Sequence, residues 1–229
     1  MTRFAFEPTP VPIVAIADSP LLFPVHRIYC VGRNYAEHAR EMGADPARDP
    51  PFFFQKPPDA VVASGAAVPY PMRTANFHHE IELVVAIGRG GREIPVAKAL
   101  EHVFGYAVGN DYTRRDLQLE ARKSGRPWDT GKAFDRSAAI SAIHRVGAVG
   151  HPSRGRIWLA VNGDMRQQAD LGDLIWSVPE LLSELSMLFE LVSGDLVYTG
   201  TPAGVGAVKR GDRIEGGVDG LDTIANKIA

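Results

Sequence analysis

The sequence predicts a single α+β domain, mainly β, with short peripheral helices. Two observations predict it. Short β-branched and aliphatic stretches recur along the chain without the strict strand–helix alternation of a doubly wound sheet. No internal repeat, low-complexity tract or linker divides the 229 residues, a length that supports one substantial core.

Composition narrows the class. An apolar fraction of 45% and a charged fraction of 23% are those of a globular protein, so neither a disordered nor a fibrous chain is expected. A formal charge of -2 leaves no electrostatic footprint for nucleic acid or an anionic membrane surface. Cys30, alone of its kind, excludes an internal disulfide and a multi-cysteine metal site, and it suits a reducing compartment. No apolar run approaches the ~20 residues that span a bilayer. Pro8, Pro10, Pro12 and Asp18 stand where a signal peptide needs an unbroken apolar core, so a cytoplasmic protein is expected.

The elements follow in order. Residues 1–26, rich in proline, predict an arm or short hairpin laid on a catalytic domain of residues 27–229. Residues 27–31 predict a strand, and Gly32-Arg33 turns it into a short helix with Asn34 as N-cap and Gly43 as stop, which sets His38 and Glu41 on one face. A proline-rich connection over 45–51 precedes a buried strand at 52–55 that ends at Lys56. Residues 80–87 predict a strand, residues 95–102 a short helix, and residues 103–108 a second strand that delivers Asp111 at its end. Thr113 and Asp116 have the spacing of a capping box for the next helix. Asn162-Gly163 between two apolar runs predicts a tight hairpin, and residues 179–190 predict a helix with Leu181, Leu182, Leu185, Leu188, Phe189 and Leu191 on one broad face. Short strands and a glycine-rich hairpin close the chain.

The chemistry sits at the centre. Glu80 and Glu82, two apart on a strand, share a face, and a third carboxylate from Asp111 would complete an all-oxygen site for a hard divalent cation such as Mg²⁺, Mn²⁺ or Ca²⁺. Taken alone, the pair is equally consistent with a solvated sheet face. His38 with Glu41 forms an imidazole–carboxylate pair of the kind that activates water, although by itself it reads sooner as a weak surface pair. Lys132 alone reads as a solvated lysine. The combination favours a site. The glycine-rich residues 200–206 lack the Gly-Lys-Ser/Thr ending and following helix of a nucleotide loop, and no Gly-x-Ser-x-Gly elbow supports a serine nucleophile.

Several motifs in sequence order resemble the fumarylacetoacetate hydrolase family. They are Gly32-Arg33-Asn34-Tyr35 with His38 and Glu41, Lys56-Pro57, the run from His78 to Glu82, Asp111 with Arg115 and Gln118, Lys132, and Thr199-Gly200-Thr201-Pro202. The match is with its small single-domain branch of fumarylpyruvate and acylpyruvate hydrolases. The resemblance implies a mixed β-sandwich roll of the C-terminal-domain type, a homodimer, and Mg²⁺ or Mn²⁺ held by Glu80, Glu82 and Asp111. Larger members have a further acidic ligand before the histidine; residues 30–33 here carry none, which implies a loosely held ion that keeps its waters.

The implied substrate is a 2,4-dioxo acid, such as fumarylpyruvate in aromatic-compound catabolism. The implied roles are a water-activating His38 polarised by Glu41, with Arg115, Gln118 and Lys132 stabilising charge and Thr201 binding the pyruvoyl carboxylate. Arg33 or Lys56 is the expected partner of a distal carboxylate. Three rivals stand beside this reading: an oxaloacetate decarboxylase, an isomerase or hydratase of the same family, and a non-catalytic cation- or ligand-binding protein.

Overall fold

The computed structural model describes residues 3–42 and 49–229. Strands β1 (Ile13–Ala15) and β2 (Leu22–Pro24) pair as an antiparallel hairpin whose Val14 and Phe23 are buried while their strand neighbours face solvent. β3 (Ile28–Gly32) leads to α1 (Ala36–Glu41), and β4 (Phe52–Lys56) returns antiparallel to β3. Then come β5 (Val61–Ala63), β6 (Ala67–Val68), β7 (Phe77–His79), β8 (Ile81–Ile87) and β9 (Val103–Asp111). β10 (Thr113–Arg114) runs into α2 (Arg115–Lys123), followed by α3 (Asp129–Lys132), β11 (Ala138–Ile140), β12 (His144–Arg145) and α4 (Val146–Val149). The last part holds β13 (Arg156–Val161), β14 (Asp164–Asp170), α5 (Val178–Leu188), β15 (Leu196–Tyr198), β16 (Gly206–Ala207), β17 (Arg213–Val218) and β18 (Ile224–Ile228).

Among the described residues these strands build a mainly β, mixed-sheet roll. The central sheet runs β4-β3-β15-β8-β9-β11-β5 with β12 attached to β9, and a second sheet runs β14-β13-β17-β18-β6. A small third sheet, β10-β7-β16, closes one end. All seven residues of β8 are buried because both faces of the strand are covered. Ile81, Leu83, Val85 and Ile87 belong to the core shared with β13, β17 and α5, whereas Val84 and Ala86 belong to a smaller core under the β1–β2 hairpin. Strand parity therefore sets positions 80 and 82 on the face of Val84 and Ala86.

Several local expectations are corrected. Asn34 does not cap α1; Tyr35 holds the N-cap position, and the Asn34 amide instead ties Trp176 and Thr199 together through their backbones. Thr113 and Asp116 form no capping box: the Thr113 hydroxyl donates to Asp111 O, and Asp116 accepts from Thr74 and from the backbone of Ala75 and Leu117. β4 is only half-buried, since it lies at the sheet edge. In α5 Leu181, Leu182 and Leu185 are buried, but Leu188 is 64% exposed, so the apolar face stops a turn short. Ser177 and Glu180 cap this helix reciprocally, and Asn162 and Gly163 adopt the positive φ of the tight hairpin. The Gly43 stop and most of the 45–51 connection lie outside the described residues.

Candidate active site

The floor is set by strand pairing. Glu82 on β8 lies opposite Gly109 on β9, and two residues further along Asp111 N donates to Glu80 O at 2.8 Å. Parity then sends the three acidic side chains to one side, where one carboxylate oxygen from each of Glu80, Glu82 and Asp111 lies within 4.8 Å of the others, all buried. A side chain at Gly109 would strike Tyr198 and Val84, so glycine at this position keeps β15 against the floor. β15 also brings Gly200, whose N–H donates to Glu82 Oε2 at 2.7 Å.

Electrostatics distinguish the three acids. Lys132 Nζ bridges Glu80 Oε2 at 2.7 Å and Asp111 Oδ2 at 2.6 Å, Lys56 Nζ reaches Asp111 Oδ1 at 2.7 Å, and Arg115 pairs with Glu80. Burial opposes ionisation of Glu80, but Lys132, Arg115 and His38 outweigh it and hold its carboxyl well below the usual range. Among the described residues Glu82 forms no ion pair of this kind, and Lys132 acts on it only from a distance. Burial, followed by the charges of Asp111 and Glu80, pushes its carboxyl well above the usual range. A buried carboxylate without such an ion pair, grouped with two others, suits a hard divalent ion with oxygen ligands.

The rest of the cleft is assembled from loops and short helices. His38 on α1 lines it, 6% exposed, and its Nδ1 lies 3.0 Å from Glu41 Oε2. Glu41 also accepts from Gly204 N, at 3.1 Å to one oxygen; burial opposes its ionisation, but His38 and Gly204 hold its carboxyl below the usual range. α3 presents Lys132 because Gly131 lets it abut α2: a Cβ there would sit 2.7 Å from Gln118 N. Arg115 and Gln118, joined by a hydrogen bond, line the same cleft, as does Thr201. Arg33 lies at its outer part with φ of 58°, a left-handed conformation that is costly for a side chain of this size.

Lys56 has a different place. It is 2% exposed, and besides Asp111 its ammonium donates to Tyr112 O and Lys132 O, so it lies beneath the floor and away from the cleft lining. Sequence reasoning also missed residues. Gln167 on β14 donates through Nε2 to Thr201 Oγ1 and Pro202 O, both at 2.8 Å, and accepts from Ile81 N, while His79 Nδ1 lies 2.9 Å from the same amide oxygen. Nothing in a polar strand residue of a hairpin signals this role. Trp128 and Phe54 form an aromatic wall, with Phe52 edge-on to Trp128, and Arg122 lines the cleft beside them.

Comparison with known proteins identifies the family and fold. Residues 27–229 match the family described as fumarylacetoacetate (FAA) hydrolase C-terminal. The chain is 49% identical over 174 residues to the fumarylpyruvate hydrolase of a Ralstonia species, covering 76% of this chain and 90% of that protein. It is 43% identical over 201 residues to the mitochondrial oxaloacetate tautomerase of Rattus norvegicus, covering 88% and 90%. Its fold superimposes with a TM-score of 0.97 on the crystal structure of fumarylpyruvate hydrolase from Pseudomonas aeruginosa in complex with Mn²⁺ and pyruvate, at 55% identity and 99% coverage of each chain.

Proposed function

Because this chain belongs to the fumarylacetoacetate hydrolase family, we propose that it is a metal-dependent hydrolase of 2,4-dioxo acids that converts fumarylpyruvate to fumarate and pyruvate. The observation that carries this reading is one cleft lined by His38 and two buried carboxylates of a Glu80, Glu82 and Asp111 triad. Glu80, Glu82 and Asp111 hold Mg²⁺ or Mn²⁺, which when bound supplies a Lewis acid for the pyruvoyl end of the substrate.

The chain's own residues do the rest. Thr201 hydrogen-bonds the pyruvoyl carboxylate, its hydroxyl oxygen already accepting from Gln167 and its proton therefore free to be donated. His38, oriented by Glu41, removes a proton from water, and the water oxygen attacks the carbonyl carbon at position 4. Arg115, Gln118 and Lys132 stabilise the oxyanion that forms. Collapse breaks the bond between carbons 3 and 4; carbon 4 leaves in fumarate, and the electron pair passes to the pyruvate fragment. A proton held at Lys132 Nζ or returned by His38 completes pyruvate. As the family resemblance implies, we propose further that it is a homodimer of the cytoplasm acting in the breakdown of aromatic compounds. Among the described residues no helix is long and apolar enough to cross a membrane.

Likeness to the oxaloacetate tautomerase supports a second reading, in which the cleft interconverts the keto and enol tautomers of a smaller 2-oxo dicarboxylic acid without attack by water. One assay separates them. Absorbance of enolised fumarylpyruvate and oxaloacetate is followed with Mn²⁺ and then with excess chelator. Metal-dependent loss of fumarylpyruvate with stoichiometric pyruvate supports hydrolysis; tautomerisation of oxaloacetate with fumarylpyruvate untouched replaces it.

A further inference from the structure

The outer part of the cleft carries two guanidinium groups, and only one of them was legible in the sequence as a ligand for substrate. Arg33 and Arg122 both line it, and both are half-buried, whereas the carboxylate floor is fully buried. Arg33 sits over the ring of Phe52, 5.5 Å from its centroid, and Arg122 Nη1 donates to Met42 O at 2.7 Å. Among the described residues no carboxylate forms an ion pair with either, in contrast to Lys56, Lys132 and Arg115 below them. The two arginines feel each other. Burial and the charge of Arg122 hold the Arg33 guanidinium below its usual value, with Asp49 as the opposing charge.

Two like charges, partly desolvated and facing one cleft, are disfavoured until an anion enters between them. The hydrolase reading, on which this inference rests, supplies such an anion. A fumaryl group is a flat four-carbon chain ending in a carboxylate, and with the pyruvoyl end on the floor that carboxylate extends toward the mouth. Trp128 and Phe54 offer a flat apolar surface for the intervening double bond. We infer that Arg33 and Arg122 together bind the distal carboxylate, so that this pair selects a dicarboxylic substrate over one whose acyl group is neutral. Lys56, the other cation considered for this role, is committed to Asp111 beneath the floor.

The test compares fumarylpyruvate with acetylpyruvate, which lacks the distal carboxylate, in the wild-type protein and in Arg33→Gln, Arg122→Gln and Arg122→Lys. Loss of one charge-assisted contact lowers the ratio of kcat/KM for fumarylpyruvate to that for acetylpyruvate by about 30-fold in either glutamine variant, mostly through KM. Arg122→Lys recovers part of the ratio. A loss shared equally by both substrates overturns the inference, because it assigns the arginines to the shape of the cleft. Should the wild-type protein turn over neither substrate, the hydrolase reading itself fails, and calorimetry with fumarate decides the pair: binding weakened about tenfold or more by Arg122→Gln sustains the anion site, and equal binding overturns it.

Discussion

Glu80 and Asp111 stand opposite each other across the β8–β9 pair, and the ammonium of Lys132 lies between their carboxylates at 2.7 and 2.6 Å. The lysine and the two acids thus form one buried electrostatic unit, to which Lys56 and Arg115 are the outer partners.

Removing one member of that unit strands the others. Asp111→Asn leaves Lys56 and Lys132 buried with less counter-charge and is expected to lower stability by about 3–5 kcal/mol. Glu82→Gln has the opposite expectation without metal, because Glu82 is an acid already disfavoured in its charged form. Its melting temperature stays at or above that of the wild type, while the rise produced by Mn²⁺ is abolished. Thermal melts with Mn²⁺ and with chelator read both effects.

His38→Ala removes the group assigned to water activation, and kcat for fumarylpyruvate falls by about 10²–10⁴-fold. Glu41→Gln keeps the shape but not the charge beside the imidazole, so its loss is smaller and falls on kcat. Steady-state kinetics check the split; a rise confined to KM in His38→Ala places the histidine in binding instead.

Gln167→Glu exchanges the amide that donates to Thr201 for an acceptor. The Thr201 proton then turns toward position 167, and inhibition by pyruvate is expected to weaken about tenfold, with circular dichroism unchanged. Pyruvate inhibition equal to that of the wild type removes Thr201 from carboxylate binding.

Asp116 supplies the pH dependence. Burial opposes its ionisation, but Thr74 and the backbone of Ala75 and Leu117 hold its carboxyl below the usual value of 3.8. A depressed folded value means that its stabilisation is complete above the unfolded value and is lost as pH falls below 3.8 through the folded one. Asp116→Asn is expected to melt lower at pH 7 and to approach the wild-type curve as the pH falls below 3.8. Melting curves from pH 7 to 2.5 make the comparison.

What the sequence made legible follows from its short periods. Alternation on β8 placed Glu80 and Glu82 on one face, the spacing of His38 and Glu41 placed them one helical turn apart, and Asn162-Gly163 specified a turn that any sheet would accept. The cap at Asn34 failed because its amide serves two distant backbone segments, at Trp176 and Thr199. No local pattern encodes such a bridge. Lys56 was found as a cation at a strand end, but whether it faces substrate or an acid depends on the register of β4 against β3 and on where Asp111 lies below. Gln167 and Arg122 were missed for the same reason: each is an ordinary polar residue of its own element and gains its role from another.

The insertion of β15 between β3 and β8 has a consequence for the order in which this protein folds. Leu196 pairs in parallel with Ile28 and antiparallel with Ala86, so the centre of the sheet stays open until residues 196–198 are in place. Closing so long a loop is slow, because its entropy is lost before its contacts form. Gly200, the donor to Glu82, arrives on the same segment. The three acids thus come from one strand pair that is close in sequence, whereas the donor to Glu82 comes only with the distant segment that joins the two halves of the sheet.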